Sequence, residues 1–260
     1  MTIRTSFFGS TFIVALALSG FGLGLSARAA EFSKPQKTEI EAIIKDYLLK
    51  NPEVLRDALA EMERRQKVEE VATREQAVKD QSAQIFNSQY QSVVGNPNGK
   101  VTLVEFFDYN CGYCKRAMDD LSKLMTADPD LRVVLKDFPV LGPGSIEAAQ
   151  VASAVRAQLK GAKFWEYHQK LLSTRGTIGK AQALNVAREM GLDMAQLEKD
   201  LAGPAIKTGI EEVMRVADTL NLTGTPSYVI GTDVVVGAVG YDELKTKMDN
   251  MKKCGKVACS

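Results

Sequence analysis

Histidine is nearly absent: the 260 residues contain one, His168. A thiol hydrolase needs an imidazole beside its nucleophilic sulfur. His168 lies instead in Lys163-Phe164-Trp165-Glu166-Tyr167-His168, where Phe164 and Trp165 read as core of a packed helix. Cysteine is scarce too, and four in a chain of this length exclude a small disulfide-stapled fold. No excess of one charge is present: 33 Lys+Arg face 32 Asp+Glu. Setting aside an N-terminal leader with Arg4 and Arg28 leaves 31 against 32, a net charge of −1. Such a balance gives no reason to expect nucleic acid as a partner. Beyond residue 25 no run approaches the ~20 apolar residues of a membrane helix. No internal repeat is present.

What is there begins with Arg4, a mostly apolar stretch over residues 12–25, and Ala27-Arg28-Ala29. This is the charged, apolar and small-residue plan of a secretory signal peptide, with cleavage expected after Ala29. The alternative, an uncleaved anchor, would need a longer span. No cysteine follows the cleavage point, which argues against a lipid anchor. Export implies an oxidising compartment, where cysteines serve as disulfides or redox groups. About 230 residues then remain, enough for one sizeable core with an appendage.

The densest signal is Cys111-Gly112-Tyr113-Cys114, set directly after the apolar run Val101-Thr102-Leu103-Val104-Glu105-Phe106-Phe107. After it, Met118, Leu121, Leu124 and Met125 recur at helical spacing. A buried strand therefore delivers two cysteines to the start of a helix, where backbone N–H groups and the helix dipole stabilise a thiolate. Cys111 is expected exposed at the helix tip, with Cys114 one turn behind. That arrangement suits thiol–disulfide exchange, in which one sulfur attacks and the other resolves. A CxxC is also half of a zinc site, or a structural disulfide. The strand-to-helix context favours redox chemistry over both.

Upstream, Ile40, Ile43, Ile44, Tyr47 and Leu48 mark one face of a helix over 36–50. Asn51-Pro52 restarts the chain, and Val54, Leu55, Ala58, Leu59 and Met62 continue the apolar pattern. Residues 61–81 are rich in Glu, Arg, Lys and Gln, with no Pro or Gly, and read as a poorly buried helical stalk. The apolar residues of 40–62 need a partner: the main domain, or copies of themselves, which the intervening charged helix favours. Downstream come strands at 90–94, 100–107 and 131–138, with a helix at 112–125 between the last two. A helix over 145–159 is expected to be capped by Ser145. Helices follow at 163–173, 180–190, 194–202 and 205–220. Asp193 with Gln196 forms a capping box. Strands at 227–230 and 234–239 and a helix at 241–251 complete the order.

Four collinear stretches resemble the DsbA-like thiol–disulfide oxidoreductases. They are Val104-Glu105-Phe106-Phe107-Asp108-Tyr109-Asn110-Cys111-Gly112-Tyr113-Cys114, Val134-Leu135-Lys136-Asp137-Phe138-Pro139-Val140-Leu141-Gly142, the aromatic run 163–168, and Thr223-Gly224-Thr225-Pro226-Ser227-Tyr228-Val229-Ile230-Gly231. The N-terminal layout further resembles the trimeric copper-sensitivity suppressor C branch. The resemblance implies an α/β thioredoxin fold with an inserted helical domain, preceded by a helical oligomerisation stalk. The expected divisions are a signal peptide over 1–29, a helical oligomerisation element over 30–62 and a charged helical linker over 63–88. The first half of the thioredoxin fold follows over 89–142, the insertion over 143–220, and the second half with its tail over 221–260.

By the same resemblance Cys111 is the nucleophile, Cys114 resolves, and Gly112 and Tyr113 tune the pair. Thr225-Pro226 is a cis-proline loop facing the cysteines, where Thr225 pairs with an extended substrate. Relatives that are strong oxidants carry His at position 113; Tyr113 adds no charge, which implies a milder potential. Glu105, in a strand apolar on both faces, should have a raised pKa. The resemblance makes it a proton carrier for Cys114, and the alternative is a structural ion pair with Lys136. Cys254 and Cys259 read as a structural disulfide pinning the tail, with a second redox pair as the alternative. No cofactor beyond a redox-active Cys111–Cys114 disulfide is implied, and no metal. Expected partners are cysteine-containing exported proteins, a membrane redox partner protein and two further copies in a homotrimer. The expected location is the periplasm, with outer-membrane association left open.

The leading reading is thus an exported disulfide isomerase or reductase, and a dithiol oxidase is its neighbour. A zinc- or copper-binding module using Cys111, Cys114, Cys254 and Cys259 belongs to another class. The 139 positions between Cys114 and Cys254 argue against one shared site, and two-cysteine copper binding stays open. A stalked adhesive protein would leave the CxxC unexplained.

Overall fold

The computed structural model describes residues 32–259. The expected leader and its cleavage after Ala29 lie outside the described residues. The chain divides between Leu59 and Ala60 into two units. In the first, α1 (Lys34–Lys50) opens on a capping box between Ser33 and Gln36 and closes on Asn51, whose side-chain amide donates to the Tyr47 carbonyl at 2.8 Å. Pro52 then starts α2 (Pro52–Asp80), where a missing N–H costs nothing. No residue of α1 is buried. Ile40, Ile43, Ile44, Tyr47, Leu55 and Leu59 are exposed.

The second unit contains the remainder of α2, α3 (Ser82–Phe86) and a five-stranded sheet in the order β1-β3-β2-β4-β5. The strands are β1 (Ser92–Gly95), β2 (Val101–Phe107), β3 (Leu131–Asp137), β4 (Ser227–Ile230) and β5 (Asp233–Val236). Among the described residues only β2 and β3 pair in parallel, joined by the crossover helix α4 (Gly112–Ala127). Between β3 and β4 the chain inserts α5 (Pro143–Gln158), α6 (Gly161–Leu172), α7 (Lys180–Glu189), α8 (Met194–Leu201) and α9 (Pro204–Thr219). The terminal helix is α10 (Tyr241–Cys254).

β2 reads as nearly continuous apolar sequence because both sheet faces are covered. Leu103, Phe107, Val133 and Tyr228 pack with α4, α10 and the insertion. Val104, Phe106, Val134 and Val229 pack with Val78, Ile85 and α9 residues Val213 and Val216. The poorly buried helical stalk expected over 61–81 is exposed for most of its length and joins this second cluster only at its end. There the chain turns onto the sheet, and Ala77, Val78 and Ile85 are buried. Helix α3 falls within the helical linker expected over 63–88, as a separate short helix, and docks through its free carbonyls. Arg132 and Gln91 donate to Phe86 O at 2.8 and 2.7 Å, and the Lys136 ammonium donates to Gln84 O.

Two expected caps differ. Helix α5 begins at Pro143, after Gly142 at φ 109°, so Ser145 lies inside the first turn rather than at the cap. Asp193 does cap α8, accepting from Gln196 N at 3.0 Å. The Gln196 side chain donates forward to Asp200 instead of back, and the reciprocal half of the box does not form.

Candidate active site

Cys111 is the N-cap of α4 in extended conformation, and its sulfur accepts from Cys114 N at 3.4 Å. A sulfur thus occupies the place usually held by a Ser or Asp oxygen, beside the uncompensated N–H groups of a helix start. Across the site the Cys111 thiol donates to the Thr225 carbonyl at 3.2 Å. The Thr225–Pro226 peptide is cis. Cys111 and Cys114 are both free, so this is the dithiol form.

The Cys111 pKa falls to about 5. The largest cause is the hydrogen bond from the Cys114 side chain. Burial opposes it, and the Thr225 side chain and the N–H groups of Cys114 and Tyr113 lower it further. Cys114 moves the opposite way, far above an ordinary thiol. Its proton is held by the Cys111 sulfur, and burial and the Glu105 charge also oppose ionisation. One sulfur is therefore poised as nucleophile and the other as a protonated reserve. Cys111 is not exposed as expected: only 5% of its surface is open, because the Thr225 loop, 114 positions away, lies against it.

Glu105 is buried in the middle of β2, paired with Leu135 and Tyr228. Burial first, then the Cys111 charge, pushes its pKa up to about 8. The alternative ion pair with Lys136 is excluded by register. Lys136 is partnered with Phe106, on the opposite sheet face from Glu105. Tyr113 is 60% exposed, with the Arg116 guanidinium 4.4 Å from its ring centroid. A Cβ at Gly112 would meet nothing within 4 Å, so space does not dictate glycine there.

His168 is buried among Phe107, Tyr109 and Trp165, with Nδ1 3.4 Å from the Tyr109 hydroxyl. Burial lowers its pKa to about 3, so it is neutral and structural. Phe164 is buried and Trp165 packs partly exposed against the core. At the tail, Gly255 at φ 72° stops α10, and Cys254 and Cys259 form a disulfide. That bond removes two sulfurs from any four-cysteine metal site. Among the described residues, no group of three or more His, Cys, Asp or Glu gathers to hold a metal. Nor is any described helix long and apolar enough to cross a membrane.

The sequence reading missed the polar groups just before the cysteines. The buried Asp108 carboxylate accepts from Asn110 N at 2.8 Å, Val140 N at 2.9 Å, Leu141 N at 3.0 Å and the Ser145 hydroxyl at 2.7 Å. The Asn110 side chain donates to Ile178 O at 2.8 Å and accepts from Ile178 N at 2.7 Å. Asp and Asn two residues apart ahead of a helix are a turn signature, and that was the available clue.

The family model described as DSBA-like thioredoxin domain matches residues 102–249. The copper resistance protein ScsC N-terminal domain matches residues 36–69. A thioredoxin-like oxidoreductase from Silicibacter pomeroyi DSS-3 is 40% identical, with 66% of this chain and 98% of that chain covered and a TM-score of 0.62. The thiol-disulfide exchange protein alpha-DsbA2 from Wolbachia pipientis is 28% identical, covering 70% and 97%, at 0.64. A linker-deletion mutant of Proteus mirabilis ScsC is 26% identical, covering 87% and 99%, at 0.63. Against the curated Na(+)/H(+) antiporter NhaA 1 of Salinispora arenicola, 53% of this chain aligns at 32% identity and spans only 21% of that protein. The domain match takes in β2, the cysteine helix, the whole insertion and most of α10, more than half of the sequence, and the chain belongs to the family of DSBA-like thioredoxin domains.

Proposed function

We propose that the chain is an exported thiol–disulfide oxidoreductase that isomerises or reduces disulfides of periplasmic protein substrates. The observation that carries this is the opposed pair of sulfurs: Cys111 ionised well below the ordinary thiol range, Cys114 held protonated beside it. The Cys111 thiolate attacks one sulfur of a substrate disulfide, and the other substrate sulfur leaves as a thiolate. Two exits follow. A second substrate thiolate attacks the substrate sulfur of the mixed disulfide, which restores Cys111 and leaves a rearranged substrate with no net redox change. Otherwise Cys114 loses its proton and attacks the Cys111 sulfur, which releases a reduced substrate thiolate and leaves the Cys111–Cys114 disulfide. The mixed disulfide removes the Cys111 charge that helps to hold the Glu105 pKa up at about 8, and Glu105 in its ionised form is the group proposed to accept the Cys114 proton. Thr225 offers its backbone to an extended substrate segment, as in strand addition.

Isomerisation is favoured over oxidation by Thr225, since Thr before this proline resembles isomerases and reductases more than strong oxidases, by the uncharged Tyr113 and by the exposed apolar residues of α1 and α2. Ile40, Ile44, Leu55, Leu59 and Met62 are proposed to bury one another between copies, most simply in a trimer. Several sulfur pairs would then face one captive substrate. A membrane redox partner that returns the pair to the dithiol is part of the same proposal. A second reading, a dithiol oxidase, rests on the low Cys111 pKa, because a stabilised thiolate makes the disulfide form a stronger oxidant. The test is refolding of scrambled ribonuclease beside oxidation of reduced ribonuclease by the same preparation. Faster recovery from the scrambled form supports isomerisation. Activity only on the reduced form moves the assignment to oxidase, and activity on neither removes both.

A further inference from the structure

We infer that Asp108, Asn110 and Ser145 form a clamp through which the helical insertion sets the position, and hence the acidity, of the Cys111 sulfur. The inference rests on Cys111 being the nucleophile. Asp108 and Asn110 are positioning residues: the Cys111 sulfur bonds to Thr225 O and Cys114 N rather than to either of them, and both fix the turn that carries it.

The turn 108–111 leaves β2 and must place Cys111 within reach of two things at once, Cys114 N and the Thr225 loop. Its own backbone supplies one bond, Cys111 N to Asp108 O at 3.0 Å. The Asp108 side chain adds a second within the turn, from Asn110 N at 2.8 Å, and the remaining anchorage comes from the segment leading into the insertion and from the insertion itself. Asp108 grips the segment leading into α5 through Val140 N and Leu141 N, and α5 itself through the Ser145 hydroxyl. Asn110 makes a two-way amide pair with the Ile178 backbone, 68 positions away, and donates to Ser145 Oγ at 3.1 Å. Close approach of these two parts of the insertion is built in. A Cβ on Gly144 would meet Ile178 O at 2.9 Å. On the other side of the sulfur, the Lys115 ammonium donates to Thr174 O at 3.1 Å, in the same loop between α6 and α7. The insertion therefore holds the chain both before and after the cysteine pair.

Asp108 and Ser145 are 2% and 1% exposed, and the groups in the clamp are mutually satisfied. A buried network of this kind has one low-energy arrangement. It transmits small displacements rather than absorbing them, so a shift of the insertion moves Cys111 relative to the donors that stabilise its thiolate. Loosening any member should raise the Cys111 pKa and destabilise the reduced form relative to the disulfide.

The field of the Asp108 carboxylate makes the opposite prediction. A negative charge near a thiolate opposes ionisation, so removing it would lower the pKa. Alkylation rate against pH, on the full chain, separates the two. Asn110→Ala and Ser145→Ala change no charge, and Asp108→Asn removes one. The clamp predicts that all three raise the Cys111 pKa by about one unit, and that the equilibrium constant for disulfide transfer to glutathione falls roughly tenfold. No movement in Asn110→Ala and Ser145→Ala, or a fall in Asp108→Asn, overturns it. If Asp108→Asn does not fold, the two neutral variants decide alone. The assignment of Cys111 fails separately: a wild-type pKa above that of a free cysteine removes it whatever the variants do. A low wild-type value with unmoved variants removes only the clamp.

Discussion

Replacing Glu105 with Gln should flatten the dependence of stability on pH. Glu105 is 2% exposed, and its pKa moves from 4.5 to about 8. Between those values the folded chain keeps a proton that the unfolded chain has released, so stability falls as pH rises. Below the lower value both states are protonated and no penalty exists; above the upper value the whole penalty is present. Three and a half pKa units correspond to about 5 kcal/mol. Gln keeps the shape and removes the titration. Its amide brings donors of its own, so the observable is the slope and not the absolute stability. Asp137, pushed up to about 7 mainly by burial, produces a fall in both proteins and cancels in the difference. Urea unfolding midpoints from about pH 5 to about pH 9 give the two curves. The Cys111 charge is the second cause of the Glu105 shift, so the gap should narrow in a Cys111→Ser background. Parallel curves for wild type and Glu105→Gln would show an ordinary carboxylate and refute the reasoning.

Ile85→Ala should cost about 2–5 kcal/mol in chemical unfolding, because a fully buried side chain of the second core cluster is truncated; a loss under about 0.5 kcal/mol would mean that the segment after α2 is not part of that core. Serine at both Cys254 and Cys259 should lower stability by about 2 kcal/mol by loop entropy, leaving insulin reduction intact; loss of that activity would point to a second redox pair. Tyr113→His should shift the glutathione equilibrium toward a more oxidising potential, since a cation beside Cys111 stabilises the reduced form; an unchanged or lower potential would show that charge at this position does not set the poise. Deleting residues 30–62 should give a folded monomer by light scattering that keeps dithiol chemistry and loses most isomerase activity. A monomeric intact chain would remove the argument from a shared substrate space.

Much of this was legible because it is local. The run over β2, the cysteine pair and the apolar spacing of α4 lie within one stretch, and the expected strand and helix differ from the observed ones only at their ends. Ser227–Ile230 was read with its observed bounds. What escaped was set by partners distant in sequence. Cys111 is buried because of Thr225, and Asn110 matters because of Ile178; neither relation leaves a periodic trace. Helix α3 has five residues and depends for its docking on Arg132 and Gln91. Half of residues 77–86 are apolar, but Lys79-Asp80-Gln81 interrupt them and the charged run of α2 precedes them, so their role as a lid on the sheet was hidden. Ser145 was misplaced because Gly142 and Pro143 start α5 earlier than a serine cap would.

The central claim is that Cys111 attacks protein disulfides and Cys114 resolves the product. Its most direct test is a trap. Full-length Cys114→Ser and Cys111→Ser are each mixed with scrambled ribonuclease, and covalent adducts are resolved without reductant. Cys114→Ser should accumulate a mixed disulfide that a small dithiol releases, and Cys111→Ser should accumulate none. Equal adducts in both variants, or none in either, would contradict the account.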